Sequence, residues 1–75
     1  MDYSLMRRLN EDETRFLGYL RSRGGIAYLY EVRRALGIPS SSTWRMARRL
    51  NEWGFISLEK IKIGKRILLK VLLRK

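Results

Sequence analysis

Ser40-Ser41-Ser42-Thr43-Trp44-Arg45-Met46-Ala47-Arg48-Arg49-Leu50-Asn51-Glu52-Trp53 is the stretch that decides the fold. Its spacing is helical. Thr43, Ala47, Leu50 and Gly54 fall at i, i+4, i+7 and i+11, a stripe that can face a core. At 100° per residue, Ser41, Arg45, Arg48 and Glu52 lie on the opposite face, with Ser42 and Arg49 beside them. The exposed side therefore carries guanidinium groups and small hydroxyls, with one acid near its far end. Pro39 suits a first turn, and a serine hydroxyl can accept from an unpaired N–H there. Gly54 supplies a residue that tolerates the left-handed conformation ending a helix. A helix apolar behind and rich in Arg and Ser in front is suited to lie against an anion.

Working back, Leu29 to Leu36 reads as a short helix with Leu29, Val32, Ala35 and Leu36 inward. Gly37-Ile38-Pro39-Ser40 is the turn to the next helix, with Ile38 as an apolar plug and Pro39 as a stop. Two short helices across a glycine-containing turn form a helix-turn-helix pattern. Ile26-Ala27-Tyr28 is either a small strand or a turn. Before it, Asn10 followed by Glu11-Asp12-Glu13 is a helix start, with Glu13 placed to complete a capping box. That helix should run from about Glu11 to Arg23, burying Phe16, Leu17 and Leu20 with Tyr19 at its margin, and Gly24-Gly25 ends it. Met1 to Leu9 fits either a helical turn or a segment packed on a partner.

Working forward from Gly54, the period changes from 3.6 to 2. Residues 55–63 are strand-like, with a slip of phase at Glu59-Lys60 that suggests a bulge or strong twist. Gly64-Lys65 fits a two-residue hairpin turn with glycine first. Residues 66–73 return, apolar on both faces: Ile67, Leu69, Val71 and Leu73 on one, Leu68 and Leu72 on the other. The second face needs cover, from Met1–Leu9 or from another copy, and a homodimer is the expectation.

Seventy-five residues, counting 17 Lys plus Arg against 7 Asp plus Glu, make one small domain spanning 1–75. A chain this short buries only about 60–65% of its unfolded surface and gains from dimerisation. The charge is divided unevenly. Residues 1–31 are neutral, and the formal excess of +10 lies wholly after Glu31. That asymmetry points to nucleic acid or an anionic membrane surface. Abundant Arg with no Gln or Cys fits a thermophile. Without His or Cys there are no disulfides, thiolate chemistry or common zinc spacings. No phosphate-cradling glycine loop accompanies Gly24-Gly25. An enzyme is not expected, nor a cofactor, metal or small-molecule substrate. No apolar run is long enough to span a membrane and no signal peptide stands at Met1, so the expected location is intracellular.

The run from Glu31 to Ile56 resembles the winged helix-turn-helix family. Its marks are Ala35-Leu36-Gly37-Ile38, Ser41-Ser42-Thr43 and Arg48-Arg49-Leu50-Asn51-Glu52-Trp53-Gly54-Phe55-Ile56. It is especially similar to small regulators of archaea and of archaeal viruses and plasmids. The resemblance covers about Leu9 to Leu73. It implies an α+β fold of three helices followed by a C-terminal β-hairpin wing, and sequence-specific binding of double-stranded DNA by a transcriptional regulator. One departure is Trp44, which stands where the family often has a small polar residue.

Carried onto this chain, the resemblance puts residues 40–53 in the major groove, where Arg45 is the candidate for guanine O6 and N7. Ser41 and Ser42 would touch a phosphate or a base edge. Arg48 and Arg49 would meet phosphates, although Arg49 equally suits an ion pair within the chain. Trp44 would touch sugar or a thymine methyl, or pack on the preceding helix. Lys62, Lys65 and Arg66 on the wing would reach backbone or the adjacent minor groove. The location would be cytoplasmic and nucleoid-associated, or host cytoplasm for a viral or plasmid gene. Two other readings of the same residues are a protein-interaction module and an RNA-binding domain.

Overall fold

Asn10 starts the first helix, α1 (Glu11–Ser22), by a reciprocal exchange. Its Oδ1 accepts from the Glu13 N–H at 2.7 Å, and Glu13 Oε1 accepts from the Asn10 N–H at 2.9 Å. The expected capping box is formed. Phe16, Leu17 and Leu20 are buried and Tyr19 lies at the margin. The computed structural model describes residues 9–74. The expectation for the N-terminal segment lies outside them except for Leu9, which packs against the core.

After α1 come β1 (Ile26–Tyr28), α2 (Leu29–Leu36), α3 (Ser40–Glu52), β2 (Ile56–Ile63) and β3 (Arg66–Leu73). The three strands form one antiparallel sheet in the order β1-β3-β2. This is the α+β arrangement of a winged helix-turn-helix: three helices, and a C-terminal hairpin that forms the wing. The segment left between strand and turn is a strand, because it pairs with β3 through Ile26↔Leu72, Ala27↔Val71 and Tyr28↔Lys70. Only three residues long, it carries no periodicity of its own, and a partner some forty residues away decides it.

The core is made where the helices meet one face of the sheet. Phe16, Leu20, Val32, Ala47, Leu50, Ile56 and Val71 are all buried there. On α3 the inward stripe is Thr43, Met46, Ala47 and Leu50. Met46 is buried in place of Gly54; α3 packs against α2 and β2, and Met46 also lines the flank groove shared with Asn10 and Asp12. Ala35, expected inward, is exposed. Gly54 instead ends the helix at φ +84°, where a side chain would be strained. The Phe55 N–H reaches Leu50 O at 2.9 Å and the Gly54 N–H reaches Asn51 O at 3.1 Å, which closes the last turn. The expected serine cap does not form. Pro39 holds the cap position, and the Thr43 hydroxyl donates back to Pro39 O at 2.9 Å.

Strand pairing in the wing is unbroken from Ile56↔Leu73 to Ile63↔Arg66, so no bulge accompanies the phase slip at Glu59-Lys60. The reason is burial. Ile56 is fully buried and Leu58 half-buried, but beyond them the ribbon leaves the helices. There cover is partial, with Ile61, Leu68 and Leu69 half-buried and Lys60, Lys62, Ile63 and Ile67 exposed, and alternation of polar and apolar residues is only weakly enforced. Gly64 turns the chain at φ +61°, with Lys65 second, as the glycine-first hairpin requires. β3 is apolar on both faces because it is the central strand. Its outer-face residues Leu72 and Leu68 stand opposite Ile26 and Ile61, and such directly paired side chains shield one another.

One polar group binds α3 to α1. Glu13 is 2% exposed, and its Oε2 accepts from Arg49 Nη2 at 2.8 Å and Nε at 3.0 Å. Removing one partner of a fully buried pair costs about 3–5 kcal/mol. The Arg49 side chain is 44% exposed, so solvent reduces that figure here. A double-mutant cycle on Glu13→Gln and Arg49→Gln should give a coupling of about 1–2 kcal/mol. Chemical denaturation of the four proteins measures it, and additive effects would show that the pair does not hold the helices together.

Candidate nucleic-acid interface

The surface of α3 follows from its buried stripe. With Thr43, Met46, Ala47 and Leu50 inward, Ser41, Arg45, Arg48 and Glu52 project to solvent, as the spacing requires. Ser42 is half-buried on the flank toward α1. There it shares a shallow groove with Asn10, Asp12, Arg45 and Arg49. On the opposite flank Ser40 and Thr43 share a groove with Leu29, Tyr30 and Arg33 of α2 and with Ile67, Leu68 and Leu69 of β3. The start of α3 thus lies between the N-terminus of α1 and the root of the wing. Trp44, one turn beyond Ser40, is 40% exposed.

The first turn of α3 is electrically open. It contains no acid, and no side chain caps it. The N–H groups of a helix's first turn have no intrahelical partner and carry the positive end of its dipole. The other two helices differ. Each reaches back with an acid three residues in: Glu13 to the Asn10 N–H, and Glu31 to the Tyr28 N–H at 2.9 Å. Each of those carboxylates also pairs with a distant arginine, Glu13 with Arg49 and Glu31 with Arg23 at 3.7 Å.

Ion pairing sorts the cations. Arg15 pairs with Asp12 at 3.6 Å, Arg23 with Glu31 and Arg49 with Glu13. Among the described residues Arg45, Arg48, Lys62, Lys65 and Arg66 make no ion pair, and all five are exposed. Arg49 is therefore separated from the other candidates. Of its two readings, phosphate contact or internal pair, the structure forms the second, because a buried carboxylate on α1 needs a counter-charge.

The register places the wing cations. Directly paired residues share a face, so Lys60 and Lys62 lie with Leu69 and Ile67 on the face of the sheet that carries Leu58, Val71 and the core. Arg66 lies with Ile63 on the outer face, and Lys65 occupies the turn. Lys60, the first residue of the basic wing 60–66 expected on backbone or minor groove, stands two residues from Lys62 on the same face. The structure lines a groove with Arg33 beside Ser40, a placement that no local pattern encodes. Tyr28 and Tyr30 stack on each other, with ring centroids 5.9 Å apart at 15°.

No family model, curated protein or solved structure matches this chain. No helix among the described residues is long and apolar enough to cross a membrane.

Proposed function

We propose that this protein binds double-stranded DNA in a sequence-specific way and acts as a transcriptional regulator. The observation that carries this reading is the set of unpaired cations at Arg45, Arg48, Lys62, Lys65 and Arg66, beside a helix start that lacks both cap and acid. In the proposed complex α3 enters the major groove. Arg45, at the centre of the exposed face, donates two hydrogen bonds to one guanine. Ser41, Ser42 and the first-turn N–H groups of α3 face a phosphate. Arg48 meets phosphate farther along, Trp44 lies against sugar or a thymine methyl, and the wing lysines follow the backbone or minor groove. Arg49 holds α3 in place and is not assigned to DNA.

Duplex RNA is disfavoured as a ligand, because its narrow major groove excludes a helix. A second copy of the chain is proposed to cover the outer sheet face around Ile26, Leu68 and Leu72. The pair would present two α3 helices to successive major grooves, about 34 Å apart. Sedimentation at micromolar concentration should show a dimer, and a monomer alone would remove that part.

Site selection from random duplexes at two salt concentrations tests the reading. Affinity should fall steeply with salt, each neutralised phosphate adding about 0.9 to the logarithmic slope. Arg45→Ala should cost about 1–3 kcal/mol on the selected site and relax preference at one base pair. Lys65→Ala should weaken all duplexes alike and lower the slope by about one. Unchanged site preference in the Arg45 variant would remove that residue's base-reading role. Failure to bind any duplex would remove the whole proposal.

A further inference from the structure

The two large apolar side chains most exposed among the described residues both sit at the wing tip: Ile67 at 64% and Ile63 at 53%. They flank the Gly64-Lys65 turn in the last two rungs of the ribbon, Ile63↔Arg66 and Lys62↔Ile67. Because paired residues share a face, each face of the tip carries one isoleucine beside one cation. Residues 60–66 contain no acid, and the nearest, Glu59, stands opposite Lys70. The tip also projects. Ile67 lines the groove at the start of α3, and the turn lies two to three residues farther out, roughly 7–10 Å at strand rise.

We infer that the wing tip is a wedge that enters the minor groove and bends the DNA, with Ile63 and Ile67 as the inserting side chains. The inference rests on the reading of DNA as ligand and goes beyond it. Backbone contact alone would require the cations and leave two solvated isoleucines without a role. A second copy fits the tip poorly, since apposed tips would bring Lys62, Lys65 and Arg66 against their own counterparts. Dimensions explain the bend. Two paired strands are about 4.8 Å apart before side chains are added, and an undistorted minor groove is about 6 Å wide. The ribbon enters only if the groove opens. Apolar side chains placed against the parted bases then offset lost stacking, and such wedges turn the duplex toward the major groove by about 20–90°. Lys62, Lys65 and Arg66 meet the phosphates on either side of the opening.

The test is energy transfer between dyes at the two ends of a duplex of about 30 base pairs carrying the selected site, with binding measured in parallel by anisotropy. The parent protein should raise transfer on binding. Ile63→Ser/Ile67→Ser should bind within about tenfold of the parent, since the phosphate-facing cations remain, yet leave transfer at its free-DNA value. Ile63→Leu/Ile67→Leu should restore the rise. Parent binding with no change in transfer would overturn the wedge and leave DNA recognition standing. So would a serine variant that bends as the parent does. A serine variant that sediments as a monomer where the parent is a dimer would reassign the isoleucines to a contact between copies. Absence of parent binding to any duplex would overturn both proposals.

Discussion

A single buried carboxylate sets the orientation on which the proposed surface depends. Glu13 completes the cap of α1 with one oxygen and holds Arg49 of α3 with the other. Burying a charge is tolerable only with this degree of pairing. Fixing Arg49 also fixes the rotation of α3, because side chains on a helix keep constant angular offsets. With Arg49 turned toward α1, and with Thr43, Met46, Ala47 and Leu50 against the core, Arg45 and Arg48 have only solvent to face. The apolar stripe gives this rotation loosely, since Ala and Met accept many neighbours. The ion pair narrows it, because two nitrogen-to-oxygen contacts must be met together.

The same economy explains how charge is divided. Three carboxylates in the first half of the chain are engaged within the fold: Asp12 with Arg15, Glu13 with Arg49 and Glu31 with Arg23. Two of them cap helices as well. The acids thus serve the two helices that support α3, while α3 begins with neither acid nor cap. The first turn of α3 carries no acid of its own, and Asp12, in the groove beside Ser42 and Arg45, is paired with Arg15. The wing adds cations on a ribbon that leaves the helices, where nothing in the chain neutralises them. In the proposed function this division separates residues that hold the scaffold from residues that touch the ligand, and Arg49 belongs to the first group.

Most of the architecture was legible because local chemistry and global packing agree. Asn10 with Glu13 marks a helix start, Gly37-Ile38-Pro39 marks a turn, and the move from a 3.6 to a 2 period after Gly54 marks the wing. What was not legible depends on distant partners. β1 exists because Val71 and Leu72 lie beside it. Met46 is buried in the core, although the expected stripe ran through Thr43, Ala47, Leu50 and Gly54. The serines before Thr43 resemble caps in isolation, yet Pro39 takes that position and Thr43 binds its carbonyl. The phase slip at Glu59-Lys60 suggested a bulge only on the premise that the whole strand is half-buried, which fails once the ribbon leaves the helices. Of the candidate site, Arg45, Arg48 and the wing cations follow from spacing and charge. Arg49 was open between two roles, and only the position of Glu13 in space chooses between them.

The central claim is that the open face of α3 and the wing contact one ligand together. Backbone amide spectra of the labelled protein, titrated with a selected duplex, address it most directly. The largest shifts should fall in two groups, Ser41 to Arg48 and Lys62 to Arg66, moving in the same titration step. The exposed side of α1 around Gly18 and Arg21 should stay unchanged. Shifts confined to one group, or centred on the outer sheet face near Ile26 and Leu72, would contradict it.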